Sequence, residues 1–435
     1  MRARLERQAA ARGKGAGWML PLWKGPESRA MSLDHTPDKY YSSGVNSTTR
    51  TVPRLLRMEL PEGQSAFLWG PRKTGKSTFL AHIFPQSTRF DLLKTDLFLR
   101  LAKQPSLFRE QIAALKTEGR LTLPVVVDEV QKVPLILDEI HWLIENEGCQ
   151  FVLCGSSARK LKRGQANLLG GRAWRYEMLP LTWREIGTID LVPALNSGFL
   201  PPHYFSANPE RPLKAYAQDY LREEIMSEGL IRSLPPFARF LDAVGIGHGE
   251  LTNFANIARD CAVDAKTVRA YYEILCDTLM GRFLDPYVTR RGRQVITAAA
   301  KFYFCDVGLA GMLAKRKIEE ARGELFGRAF EHFILMETWA HSRYTEMDYD
   351  VRFWRTKTGQ EVDLVLGDGQ VAVEVKGTSH VDASDLTGLK AFMEERKPRS
   401  AYLVCTEPHP RRMGDILVLP WEDYFRQLWA GEVIS

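Results

Sequence analysis

The chain has 435 residues, room for about three domains at roughly 150 residues each. Its 45% hydrophobic, 26% charged and 10% aromatic residues exclude a disordered or collagen-like polymer, and no apolar run approaches the ~18 residues of a membrane-spanning helix. The net charge of +6 is concentrated at the start, where Arg2, Arg4, Arg7, Arg12, Lys14, Lys24 and Arg29 outnumber Glu6 and Glu27, so the basic total is not a nucleic-acid footprint of the folded part.

Residues 1–50 lack periodicity and read as a flexible tail. The six cysteines form no CxxC pair and no zinc spacing, which fits a reducing cytoplasm. Residues 51–195 alternate short apolar strands with helical segments, the pattern of a parallel sheet covered by helices. The strand Ala66–Trp69 runs into Gly70-Pro71-Arg72-Lys73-Thr74-Gly75-Lys76-Ser77 and then the helical Thr78-Phe79-Leu80, which is GxxxxGK[ST] in its required strand–loop–helix context. Gly70 and Gly75 permit the φ values that turn backbone N–H groups toward a phosphate, and the helix start at Lys76 adds its dipole. These nine residues, Gly70 to Thr78, are the expected ATP-binding loop. Lys76 is the cation for the β/γ-phosphates, and Ser77 a hydroxyl ligand for Mg²⁺.

A second strand, Val125–Val127, ends in Asp128 and Glu129. Asp128 is expected to reach the Mg²⁺ from the strand next to the phosphate loop, and Glu129 to polarise the attacking water. A third strand, Phe151–Cys154, ends in Gly155-Ser156-Ser157, where Ser156 is either a hydroxyl that senses the γ-phosphate or part of an ordinary serine-rich turn. Arg172, after Gly170-Gly171, is either a cation for transition-state charge or a solvated arginine.

Residues 196–240 read as a helical connector and 241–305 as a winged-helix-like domain. Helices Leu251–Arg259 and Ala265–Cys276 suggest helix–turn–helix geometry, with Asp264 capping the second and Val268, Tyr271 and Leu275 forming its buried stripe. Phe283–Thr289 and Gln294–Thr297 are expected to form a wing around Arg290-Arg291-Gly292-Arg293. Such a wing suits DNA backbone, and equally a protein partner or a solvated loop.

Residues 306–435 begin with a long helical stretch. In Glu361–Lys376 an Asp368-Gly369 turn joins two strands, so paired residues have numbers summing to 737. Val362, Leu364, Leu366, Val371, Val373 and Val375 then share one apolar face, while Asp363 falls opposite Glu374 and Glu361 opposite Lys376. Carboxylates directly across a strand pair repel, unless a divalent cation sits between them. The ordinary alternative is a polar solvent face.

Asp363, Glu374-x-Lys376 and the preceding helical Glu331 resemble the PD-(D/E)xK nuclease superfamily, whose core is a helix, three strands, a helix and a strand. The segments Asp385–Arg396 and Ala401–Cys405 fall in matching places. The resemblance implies that Asp363, Glu374 and Glu331 bind Mg²⁺ and that Lys376 is catalytic, although the proline of the nominal signature is absent. Over residues 51–425 the whole order is similar to a prokaryotic AAA-type ATPase family that joins a P-loop domain, a winged-helix segment and a C-terminal domain related to restriction-endonuclease folds. That similarity also rests on Cys154 to Leu161, Gly171-Arg172, Asp219-Tyr220-Leu221 and Lys301 to Leu309. It implies an α/β fold, ATP and Mg²⁺ as cofactors, and ATP hydrolysis. Three functions follow from these parts: an ATPase whose nucleotide state repositions the C-terminal domain, an ATP-gated DNA nuclease, or a nucleotide switch that binds partner proteins.

Overall fold

In the computed structural model the described residues are 52–157, 169–220, 234–288 and 300–435, all within one contact unit. The expected tail, Ala158 to Leu161, Leu221, and the wing residues Arg290 to Thr297 lie outside them.

The first sheet is built from β1 (Ser65–Trp69), β2 (Arg89–Asp91), β3 (Val125–Asp128), β4 (Phe151–Gly155) and β5 (Ala173–Glu177), all parallel, in the order β2-β3-β4-β1-β5. Its three central strands, β3, β4 and β1, are near-continuous apolar runs because helices cover the faces. These helices are α1 (Lys76–Ile83), α2 (Thr95–Lys103), α3 (Ser106–Thr117) and α4 (Ile136–Glu147). Phe67, Val127 and Leu153 pack with Phe108 and Ile140 in one cluster, and Leu68, Val152 and Cys154 with Leu80 in another. One expectation is corrected here: β4 stands between β1 and β3, so Asp128 arrives from two strands away.

The middle of the chain is helical, with α5 (Leu191–Ser197), α6 (Leu234–Ile246), α7 (Phe254–Cys261) and α8 (Ala265–Asp277). Asp264 caps α8, its carboxylate accepting from the Thr267 N–H at 2.6 Å. Val268, Tyr271 and Leu275 are buried with Phe237, Phe240, Phe302 and Phe304. The antiparallel pair that follows is β6 (Gly281–Leu284) with β7 (Lys301–Phe304), so the strand closing this hairpin lies past the expected Gln294–Thr297.

The C-terminal part runs from α9 (Val307–Leu313) and the long α10 (Gly323–Tyr344) into β8 (Val351–Arg355), β9 (Glu361–Leu366) and β10 (Val371–Val375). It continues through α11 (Thr387–Arg396), β11 (Ser400–Cys405), β12 (Arg411–Met413), β13 (Ile416–Pro420) and α12 (Trp421–Trp429). The six strands are ordered β12-β13-β11-β10-β9-β8. Leu364, Leu366, Val371 and Val373 face Phe330 of α10 and Phe425 of α12, and Val365, Ala372 and Leu403 face Phe392 of α11.

Where the two strands pair, the β9–β10 register is the expected one, Leu364 with Val373 and Leu366 with Val371, but the pairing stops short of the expected Asp363–Glu374, Val362–Val375 and Glu361–Lys376 pairs. Two details differ. The turn spans four residues, closed by the Gln370 N–H on the Leu366 carbonyl, with Gly367 and Gly369 at positive φ. Against β8, Arg352 pairs with Val365 but Trp354 with Val362, which sets Asp363 and Leu364 opposite Phe353 alone. This bulge interrupts the alternation, and Val362 joins Trp354 on the α11 side instead of the face it was expected to share with Leu364.

The expected boundaries at 195/196 and 305/306 do not separate cores. Helix α5 crosses the first of them. Leu181, Phe199 and Tyr303 belong to the C-terminal cluster, and Ala340 and Tyr344 of α10 share a cluster with Leu68 of β1 and Leu80 of α1. Among the described residues no helix is long and apolar enough to cross a membrane.

Candidate functional site

The loop after β1 has the shape its residues suggest. Gly75, the residue before α1, sits at φ 93°, a conformation that costs a side-chain-bearing residue strain, and Lys73 is also left-handed at φ 67°. Gly70 is required for a different reason from the expected one: a Cβ there would lie 2.4 Å from the Met178 carbonyl oxygen. Lys76 is 6% exposed, and its ammonium donates to the carbonyls of Gly70 at 2.7 Å and Pro71 at 2.9 Å. Burial pushes its pKa down, against the pull of nearby acids including Glu129 and Asp128. A buried ammonium held by two carbonyl dipoles of its own loop suits a polyanion. Thr74 is buried, with its hydroxyl on the Pro71 carbonyl, whereas Ser77 and Thr78 are exposed at the start of α1.

Asp128 reaches this loop despite the intervening strand. Its Oδ2 accepts from the Ser77 hydroxyl at 2.6 Å, and its Oδ1 from the Glu129 N–H at 3.0 Å. A serine hydroxyl and a carboxylate side by side at the first turn of a helix are the hard oxygen donors that Mg²⁺ takes, so these residues fit the expected ion. Glu129 is 8% exposed, and Arg72 approaches its carboxylate at 4.0 Å. Burial pushes the Glu129 pKa above the usual carboxylate range, against the pull of Arg72 and Lys76. Ser156 closes the group from the end of β4, its hydroxyl 3.1 Å from Gln131 Nε2.

Arg172 is not part of this constellation. It precedes β5, whose first residue is in register with Ser65 at the start of β1, while the phosphate loop leaves from the end of β1. Five residues at ~3.3 Å each put it roughly 16 Å from the loop along the strand. There it pairs with Glu145 of α4.

Asp363, Glu374, Lys376 and Glu331 line one polar cavity of about 490 Å³, together with Glu361, Lys301, Tyr303, Arg328 and Arg355. The bulge aims Asp363, whose Oδ2 accepts from the Val375 N–H at 2.8 Å. The Lys376 ammonium lies 2.5 Å from Glu374 Oε1, and Glu374 Oε2 is buried without a hydrogen-bond partner. Burial and then the Glu374 charge push Asp363 well above the carboxylate range, and burial pushes Glu374 up to about 7. Glu331 accepts from the Tyr303 hydroxyl at 2.5 Å.

Lys301 was missed by the sequence reading. This β7 residue is 5% exposed, with its ammonium 2.6 Å from Glu361 and 3.5 Å from Glu331. Among the described residues no three carboxylate, imidazole or thiol groups gather as a metal-binding set. The Asp363–Glu374 pair with one open oxygen nonetheless suits Mg²⁺, which takes one or two carboxylates and keeps its waters.

Residues 62–187 match the family model of an AAA domain, residues 191–320 a domain of unknown function (DUF8612), and residues 326–424 a second domain of unknown function (DUF4143). The first segment is thus similar to an AAA domain, and its five-stranded parallel sheet with covering helices is of the α/β class. Uncharacterized proteins of Mycobacterium bovis and Mycobacterium tuberculosis are each 26% identical over 378 residues, covering 84% of this chain and 82% of theirs. Among solved structures, the Aeropyrum pernix ORC1 protein in complex with DNA is 16% identical, covering 58% of this chain and 86% of that one, with a TM-score of 0.24. A signal transduction ATPase with numerous domains from Pyrococcus horikoshii, which carries a tetratricopeptide repeat sensor, is 12% identical, covering 66% and 48%, with a TM-score of 0.20. Both scores are too low for a shared overall architecture to follow.

Proposed function

We propose that this chain binds ATP with Mg²⁺ and hydrolyses it, and that the nucleotide state acts on its C-terminal domain. The observation that carries the reading is the buried Lys76 ammonium in its loop beside the Ser77–Asp128 hydrogen bond. Gly70 to Thr78 would wrap the phosphates, and Ser77 and Asp128 would hold the ion. Mg²⁺, when bound, neutralises charge on the β- and γ-phosphates. Glu129 orients a water and takes its proton, and a carboxyl made less acidic by burial is suited to that work. Ser156 senses the γ-phosphate from the end of the intervening strand.

The test pairs uptake with turnover. Calorimetry should detect Mg-ATP binding by the parent, at least about tenfold weaker in Lys76→Ala. Glu129→Gln should bind as the parent does and turn over roughly 100-fold more slowly. No uptake of any purine triphosphate, or uptake untouched by Lys76→Ala, removes the reading. Equal turnover by Glu129→Gln takes the base role from Glu129, and uptake without turnover by the parent leaves a nucleotide switch that binds partner proteins.

A second reading, an ATP-gated DNA nuclease, is favoured by one observation: all four residues of the nuclease-like signature line a single cavity. On this reading α10, β8–β10, α11 and β11 are the restriction-endonuclease-like core, Lys376 is catalytic, and α7, α8 and the β6–β7 pair are a winged-helix-like segment able to contact DNA. Cleavage of DNA with Mg²⁺ that disappears in Asp363→Ala supports it. Cleavage by neither protein, or equally by both, rejects it.

A further inference from the structure

Two residues past Glu129 stands a side chain that the spacing of the motifs does not single out. The backbone of Glu129 is left-handed, at φ 56°, and a single 3₁₀ turn, Val130–Lys132, follows it. That turn folds Gln131 back over the ends of the strands. Gln131 is 4% exposed, and its Nε2 donates to both Glu129 Oε2 and Ser156 Oγ, the latter at 3.1 Å.

The seat for this amide is made by an absence. Residue 155, the last of β4, is glycine, and a Cβ there would lie 2.3 Å from Gln131 Oε1 and 2.7 Å from the Trp69 ring. Gln131 Oε1 is itself buried without a hydrogen-bond partner. A buried amide oxygen left unpaired costs stability, and reversing the amide to relieve it would turn that oxygen against the Glu129 carboxylate. The arrangement therefore gives up a hydrogen bond on one side of the amide to keep two on the other.

We infer that Gln131 is a positioning residue for hydrolysis, holding the Glu129 carboxylate and the Ser156 hydroxyl in one hydrogen-bonded line across the ends of β3 and β4. The inference rests on the hydrolytic reading above and extends it to a residue outside both nucleotide motifs. Its donor fixes the direction of the Glu129 carboxylate relative to the Ser156 hydroxyl.

The test uses the full chain with Gln131→Met, which keeps the bulk and removes the donor, and Gln131→Glu, which keeps the shape and reverses the polarity. Calorimetric uptake of Mg-ATP should stay within about twofold of the parent in both, which also reports folding. The kcat should fall by about 100-fold, the scale of a small misplacement of a catalytic group, with KM unchanged. Should Gln131→Met lose uptake, the isosteric Gln131→Glu decides. Turnover equal to the parent overturns the inference, as does a loss that tracks nucleotide affinity. A parent that turns over no ATP instead removes the hydrolytic reading beneath it.

Discussion

Glu337 shows how much one side chain can set. It is 3% exposed in α10, and its carboxylate accepts from the Trp183 N–H at 2.8 Å and the Trp429 indole N–H at 2.7 Å. Burial pushes its pKa up to about 8 despite these two neutral donors. The folded-state acid is thus weaker than the unfolded one, so protonation favours the fold. That advantage is complete below the unfolded pKa and is lost as pH rises to about 8. Thermal stability should fall by about 3 kcal/mol between pH 5 and pH 8 on this account, and Glu337→Gln should flatten the curve, measured by calorimetric melts across that range. A parent whose stability is level over the window removes the argument. Glu337 left no mark in the sequence, and Lys301 entered only as the first residue of a family-like stretch, with no role at a site. A lone ionisable residue in an apolar stretch has no spacing to read, and its partners come from elsewhere: Glu361 from β9 and Glu331 from α10 in the case of Lys301. Lys76, Ser77 and Asp128 were legible because each stands at a fixed offset from glycines or from a strand end.

The same division holds for whole elements. The β9–β10 register followed from one turn and a period of two, because both are local. The bulge that re-aims Asp363 was not legible, since it is a mismatch with β8, paired through a separate turn. Nor was the place of β4 between β1 and β3, because sheet order is decided by long-range packing and not by any residue of β1 or β3. Helix ends are local and were read: Asp264 caps α8. Replacing it leaves the Thr267 N–H without its side-chain acceptor, so Asp264→Ala should cost about 1 kcal/mol in urea unfolding. Its effect on Mg-ATP uptake should be absent, because the cap touches none of the phosphate-loop residues. A shift in uptake would mean that the middle helices are held to the loop more tightly than the Tyr216 hydroxyl contact on the Arg72 carbonyl, at 3.4 Å, provides.

At the scale of the molecule, Arg54 ties the phosphate loop to the helix that carries Glu331. Its guanidinium donates to the Thr74 carbonyl at 2.6 Å, the Leu179 carbonyl at 2.6 Å and the Tyr344 hydroxyl at 3.2 Å, while its Nε pairs with Glu185 at 2.9 Å. The Glu185 side chain is fully buried, so removing the cation strands a charge. Arg54→Met should therefore cost about 3–5 kcal/mol in urea unfolding. Tyr344→Phe removes one hydroxyl, which accepts from Arg54 and from the Leu179 N–H at 3.0 Å, and should cost about 1 kcal/mol. If the loop and the C-terminal helix are linked through this knot, the two substitutions will not add. The double variant should depart from the sum by at least about 0.5 kcal/mol, and Tyr344→Phe should weaken Mg-ATP uptake although Tyr344 contributes nothing to the phosphate loop itself. Additivity within experimental error, with uptake unchanged, would reduce Arg54 to a local brace. Communication between the nucleotide and the C-terminal cavity would then run through other contacts, either the cluster that joins Ala340 to Leu80 or the helical middle of the chain, where Lys73 lies over the Tyr216 ring at 5.1 Å.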